Sequence, residues 1–316
     1  MAGTGLLVIG DVVTDVVALH GGSARSGLAV GTDTAADIVL RPGGSGANTA
    51  SWAAWLGADA RILTRAGFDT ADWHAAELRR FGVRPHLRVD PDRPTAVVIA
   101  MVDVTGERSM LTNRGAGGHI GTGDWDETLL DGVGHLHLSG YTLFAEPGLH
   151  LSRLAMAEAS LRGVSISVDP ASTGFLRSFG VERFVQETLP AQLVIPNLDE
   201  ALLLTGETTA ERAAESLSLR YGAAAVKLGS RGALMAREGK LAARVPALTT
   251  EVVDSIGAGD AFAAGLLTAL LSGATDEVAL DAGRRAGAEA VTVLGGRPRV
   301  LPSDLGTREL YPLNAN

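Results

Sequence analysis

The segment DSIGAGDAFAAGLLTALLSG at 254–273 holds the residues best suited to chemistry. Gly257, Ala258 and Gly259 stand just before a strongly apolar helical stretch, so their N–H groups gather at a helix N-terminus. Small side chains there let an anion approach closely, and the N–H groups and helix dipole favour it. Asp260 falls in the first turn, beside that anion site. A carboxylate so placed can take the proton of a hydroxyl that attacks a phosphoryl group. The competing reading is a plain helix cap, a common use of Asp. Two glycines with one alanine between them, and aspartates at 254 and 260, favour chemistry over capping alone.

A second glycine-rich loop, PGGSGANTASWAAWLG at 42–57, enters an alanine-rich helix. Gly43, Gly44 and Gly46 permit a tight turn around Ser45, and Asn48 offers donors and acceptors to a polyol. A helix-entry turn, with Asn48 satisfying backbone groups, explains the segment equally well. It is not a Walker A loop, because no GK[ST] follows, and Ala47 stands where a nucleophile elbow needs glycine. In NLDE at 197–200, Asn197 and Glu200 share one face of a first helical turn. Their oxygens suit a hydrated Mg²⁺ held mainly through water and phosphate, and a capping box is an equally good reading. KLGSRGA at 227–233 is a strand followed by a small-residue turn; beside a phosphate site it could hold a nucleotide. His135 and His137 alternate along one strand with no third ligand nearby, so buried, satisfied histidines outweigh a metal pair. Trp52 and Trp55, at helical spacing, read as core.

The elements that position these residues alternate. Strand patterns at 6–10, 61–67, 135–140, 164–169, 192–197 and 223–229 each lead toward a helical stretch, including 147–162 and 174–189, and two helices fill most of 257–294. Such alternation predicts a parallel sheet covered on both faces. Residues 12–42 and 84–118 break the rhythm with β-prone pieces, the latter around a turn at Thr105–Gly106. They predict a small inserted sheet acting as a lid over the crevice at the strand ends. One domain spanning 1–316 with this lid is the expected organisation.

Composition removes several functions. The 316 residues carry a net charge of −9 with no basic block, which disfavours a nucleic-acid partner. Cysteine is absent, so disulfides, Cys-ligated zinc, iron–sulfur clusters and thiol nucleophiles are absent too. The apolar N-terminus lacks a basic region and is interrupted by Asp11 and Asp15, which predicts a buried first strand and no signal peptide. No apolar run reaches the ~18 residues needed to cross a bilayer. A soluble cytoplasmic protein without a membrane partner is expected.

Together, DSIGAGDAF and GGSGAN resemble the C-terminal and N-terminal signatures of the PfkB (ribokinase-like) carbohydrate kinase family, and the intervening NLDE and KLGSRG match its spacing. The resemblance implies an α/β fold, a Rossmann-like three-layer sandwich with a mostly parallel central sheet and a small β lid. It implies that Asp260 is a catalytic base and that Gly257, Ala258 and Gly259 form the anion hole. Asn197 and Glu200 would influence Mg²⁺ and phosphate. Lys227, Gly229, Ser230 and Gly232 would lie along the nucleotide. Asp15, Gly44, Ser45 and Asn48 would hold sugar hydroxyls. Asp254, the Ile256 carbonyl and the loop at Gly295 resemble a monovalent-cation site, for K⁺.

There are departures. Val13 stands where ribokinases often have Asn, Ser139 where they carry a sugar-binding Glu, and Arg299 where a Ser helps the cation site. Arg299 is then placed to reach the Asp254 carboxylate. The GER at 106–108, with Arg108, and Arg114 resemble lid segments of ketodeoxygluconate kinases, whose arginines meet a carboxylate. HLHLSGY resembles relatives acting on nucleosides such as pseudouridine. The implied activity is ATP-dependent phosphorylation of a primary hydroxyl of a sugar or sugar-like acceptor, with Mg²⁺·ATP and possible use of K⁺, by a homodimer. A nucleoside kinase of pseudouridine or adenosine type is the alternative, and a catalytically silent nucleotide- or sugar-binding protein a further one. A dehydrogenase is disfavoured, because no G-x-G-x-x-G follows the first strand.

Overall fold

The computed structural model describes residues 3–20, 29, 31–102 and 108–299, with only the backbone of Arg108. In chain order the strands are β1 (Gly5–Ile9), β2 (Val13–His20), β3 (Ala36–Gly43), β4 (Ala60–Gly67), β5 (Arg84–Asp90), β6 (Ala96–Val102), β7 (Arg108–Asn113), β8 (Val133–Ser139), β9 (Ser165–Asp169), β10 (Leu193–Val194), β11 (Ala223–Lys227), β12 (Ala233–Arg237) and β13 (Lys240–Val245). The helices are α1 (Ser45–Trp55), α2 (Ala71–Arg80), α3 (Gly140–Leu143), α4 (Glu146–Leu161), α5 (Thr173–Phe179), α6 (Val181–Thr188), α7 (Leu198–Thr205), α8 (Ala210–Tyr221), α9 (Ala258–Leu271) and α10 (Asp276–Ala290).

Nine strands form one sheet in the order β13-β12-β11-β10-β9-β8-β1-β4-β5. Every neighbouring pair is parallel except those made by β12. Its central strands are buried on both faces; all five residues of β1 are buried. One face packs Leu151, Phe184, Leu204 and Leu217 from α4, α6, α7 and α8. The other packs Trp52, Leu78, Phe262 and Leu280 from α1, α2, α9 and α10. The chain is therefore the three-layer α/β sandwich that the sequence predicts. A separate four-stranded sheet, ordered β3-β2-β6-β7, joins the strands inserted after β1 and after β5.

Four local expectations change. Residues 84–90 belong to the large sheet, pairing as β5 with β4, so the inserted piece begins at β6. The strand at 223–227 is followed by the antiparallel β12–β13 hairpin rather than a helix. The single helix expected over 174–189 is two, broken at Gly180, whose φ of 100° no right-handed helix allows. Trp52 is fully buried as expected, but Trp55 is 43% exposed. The turn expected at Thr105–Gly106 lies outside the described residues.

Candidate active site

A cavity of about 500 Å³ opens between the C-terminal ends of the parallel strands and the small sheet. Crevices at such strand ends are where open α/β sheets bind ligands. The small sheet contributes an apolar wall, including Val13, Val17, Val98 and Met110. The polar floor comes from the ends of β1, β8, β9 and β11 and the N-termini of α1, α7 and α9.

The glycine-rich loop is built for close approach. Gly44, the α1 N-cap, has φ 99°, and a Cβ there would lie 2.5 Å from the Asp11 carbonyl oxygen. Gly46 packs directly on Gly10, where a Cβ would lie 2.5 Å from its Cα. This packing holds α1 against the end of β1 and aims Ser45 and Asn48 at α9.

There the Ser45 hydroxyl donates to Asp260 Oδ1 at 2.8 Å, and Asn48 Nδ2 donates to Oδ2 at 2.9 Å. Both oxygens of Asp260 are thus oriented by side chains 212 or more residues earlier. Burial pushes the Asp260 pKa up to about 7; the two hydrogen bonds and Lys227 oppose the rise, and Asp169 adds to it. Gly257, with φ 74°, is the α9 N-cap, and a Cβ on it would lie 2.5 Å from Gly296 Cα. Among the described residues, the N–H groups of Gly259 and Asp260 have no backbone acceptor, whereas that of Ala258 makes a long 3.4 Å bond to Ser255. An anion at this helix end would meet available donors.

Asn197 and Glu200 do form a capping box, with two 2.9 Å bonds, and both also line the cavity. The two readings of that motif therefore hold together. Burial pushes Glu200 up to about 7, Asp169 adds to it, and Lys227 opposes. The Lys227 ammonium donates to Asp169 Oδ2 at 2.5 Å.

Asp15, Gly44, Ser45, Asn48, Arg114, Asn197, Glu200, Lys227, Gly229, Ile256, Gly257, Gly259 and Asp260 all line this one cavity. Others are placed differently. Ser139 is fully buried beneath Gly10 and Ala258 lies behind the helix entry, so neither lines the cavity. Ser230 is exposed outside it, and Gly232 serves the β12 turn, where a Cβ would overlap the Val245 carbonyl. Asp254 lies outside the wall, its carboxylate accepting from the Ile256 and Gly295 N–H groups at 3.0 Å each. The Arg299 guanidinium donates to the Thr292 carbonyl at 3.5 Å. The Arg108 side chain is outside the described residues. His135 and His137 both bond the Ser167 hydroxyl, at 2.7 and 2.8 Å, within the core.

Sequence reasoning missed Asp11, Tyr141, Asp169 and Phe175, all on the cavity wall. Asp11 Oδ1 accepts from the Gly46 N–H at 3.2 Å, and burial raises its pKa. Burial also pushes Asp15 up to about 7, with Asp11 and Asp254 adding to it and Arg297 opposing. The available signal was position: Asp11 and Asp169 each stand at the C-terminal end of a buried parallel strand.

A family model described as pfkB family carbohydrate kinase matches residues 4–303. The chain belongs to the pfkB family. Carbohydrate kinases of this family are ATP-dependent. Among pfkB-like relatives it is 32% identical over 288 residues to the Bifunctional protein HldE of Pseudomonas putida, covering 85% of this chain and 56% of that protein. The chain thus spans little more than half the length of that relative. The 2-dehydro-3-deoxygluconokinase of Thermoproteus tenax is 30% identical, with 84% of each chain covered. The adenosine kinase structure from Sinorhizobium meliloti superposes with a TM-score of 0.82 at 25% identity, covering 94% of this chain and 96% of that one. No described helix is long and apolar enough to cross a membrane.

Proposed function

We propose that this pfkB-family chain transfers the γ-phosphoryl group of Mg²⁺·ATP to a primary hydroxyl of a neutral sugar, with Asp260 as general base. The observation that carries the reading is the Asp260 carboxylate, oriented by Ser45 and Asn48 at a helix end with available N–H groups. The acceptor O–H gives its proton to Asp260 as its oxygen bonds to phosphorus. The bond from phosphorus to the β,γ-bridging oxygen breaks, and ADP leaves with that electron pair. The N–H groups of Gly257, Gly259 and Asp260 would face the charge that develops on the phosphoryl oxygens. Mg²⁺ enters with ATP as part of the substrate, keeping waters that Glu200 would orient.

The polar groups on the acceptor side support the neutral acceptor. Asp11 and Asp15 both line the acceptor side, where carboxylates accept from hydroxyls and repel an acid. Arg114 is already committed: it donates to the Tyr141 carbonyl at 2.5 Å and its charge faces Asp11. A nucleoside is the second reading, favoured by Phe175, whose ring lines the cavity edge-on to Tyr141 with centroids 5.6 Å apart. Incubating the protein with Mg²⁺·ATP and a panel of neutral sugars, sugar acids and nucleosides tests both. ADP release dependent on a neutral sugar is expected. Release only with a sugar acid or a nucleoside contradicts that choice, and binding without turnover makes the protein a silent binder.

For the assembly we propose a homodimer through the small sheet. Ile38, Leu40, Ile99 and Leu111 are exposed on its face away from the cavity, an apolar strip that a second copy would cover. Light scattering should give a dimer for the wild type and a monomer for Leu40→Asp; a monomeric wild type ends this proposal.

A further inference from the structure

Lys227 ends β11 with its side chain buried beside α9. A Cβ built on Gly259 would lie 3.4 Å from its Nζ, so the ammonium stands over the first turn of that helix. An ammonium at the positive end of a helix is poorly placed unless an anion holds it. Here that anion is Asp169, at 2.5 Å, with Glu200 and Asp260 also acting on it. Asp169 is itself fixed: its Oδ1 accepts from the Ala171 N–H at 3.0 Å, in a turn where Ala171 takes φ 70°.

We propose that Lys227 is a mobile catalytic cation, held on Asp169 before ATP binds and moved onto the γ-phosphoryl group when it does, with Asp169 as its positioning residue. The flexible four-carbon stem and three rotatable donors of lysine permit such an exchange of partners without any bond being made or broken. The exchange also answers the local charge. Three carboxylates around one ammonium are poorly suited to a triphosphate, and the move puts the cation between the helix end and the incoming negative charge. This inference rests on the kinase reading above and assigns Lys227 to the terminal phosphoryl group rather than to the nucleotide at large.

Calorimetry with Mg²⁺·AMP-PNP and Mg²⁺·ADP tests it without an acceptor. Lys227→Met should weaken AMP-PNP binding by about tenfold or more while ADP binding changes less than about threefold. Asp169→Asn, by freeing the ammonium, should tighten AMP-PNP binding, and that gain should vanish in the Lys227→Met background. Lys227→Gln gives the same reading where the Met variant does not fold, and thermal unfolding of each variant checks this. Equal loss for the two nucleotides overturns the assignment of Lys227. A gain on Asp169→Asn that persists without Lys227 is a general charge effect and overturns the storage role. A wild type that binds neither nucleotide removes the kinase reading and this inference with it, whereas nucleotide binding with equal losses removes this inference alone.

Discussion

At the α9 end of the cavity the working parts are backbone N–H groups, Gly257 with no room for a side chain, and carboxylates gathered around Lys227. At the small-sheet end the wall is made largely of exchangeable aliphatic side chains on β2, β6 and β7, with polar groups where Asp11, Asp15, Thr112, Asn113 and Arg114 approach. The first end is a geometry that most substitutions would destroy; the second is a surface that most would merely reshape. This division explains how one fold serves proteins named for a gluconate derivative and for adenosine. Phosphoryl transfer is held by fixed backbone, and acceptor choice by side chains that can drift.

Gly257→Ala strains that division most. At φ 74° a side chain costs about 1–2 kcal/mol, and here its Cβ would also overlap Gly296. Turnover should fall by roughly 10²–10³, the size of one lost oxyanion donor, with a lower melting temperature. Turnover near wild type would show that the helix end is not fixed.

Asp15→Asn probes the other end. Hydrogen bonds to charged groups contribute about 1.5–3 kcal/mol, so acceptor kcat/KM should fall roughly 10–100-fold while the ATP KM stays nearly constant. Equal effects on both substrates would erase the distinction between the ends.

The pH profile sharpens it. A base pushed up to about 7 by burial must lose its proton to work, so kcat/KM should be flat above that pH. Below it, the value should fall about tenfold per pH unit. A plateau reaching down to about pH 4 would indicate an unshifted carboxylate.

The smallest effect concerns K⁺. Asp254 already ties its loop to Ile256 and Gly295 through N–H bonds. We therefore expect replacement of K⁺ by tetramethylammonium to change turnover by less than about threefold, a small effect on the scale of transition-state losses. A large drop would place a required cation there.

The legible and illegible parts of the chain divide along the same line. The large sheet was readable because each strand is a short apolar run and each helix has its own period. The edge strand β5 was misassigned because RPHLRVD alternates like a half-exposed lid strand, and only pairing with β4 places it in the large sheet. The β12–β13 hairpin was lost because ALMAREGKLAARV is made almost entirely of helix-favouring residues, with Val245 its one β-branched residue. In the site, GAGD and GGSGAN were visible because local glycine spacing marks close backbone approach. Asp11 and Asp169 were not, because a single aspartate after a strand gains meaning only when the sheet brings its end to the cavity. Lys227 could be assigned to the nucleotide from its turn, but its place over Gly259 depends on packing between β11, which ends at Lys227, and α9, which starts 31 positions later at Ala258.

The most direct measurement is the turnover of Asp260→Asn beside its affinity for Mg²⁺·ADP. Asn keeps the size of the side chain, but it cannot accept the acceptor's proton. Turnover should fall by roughly 10²–10⁴, the range for loss of a general acid or base, while ADP affinity barely moves because backbone N–H groups hold the phosphates. Near-normal turnover in the folded variant would contradict the account, leaving Asp260 as a structural anchor for Ser45 and Asn48 and nothing more.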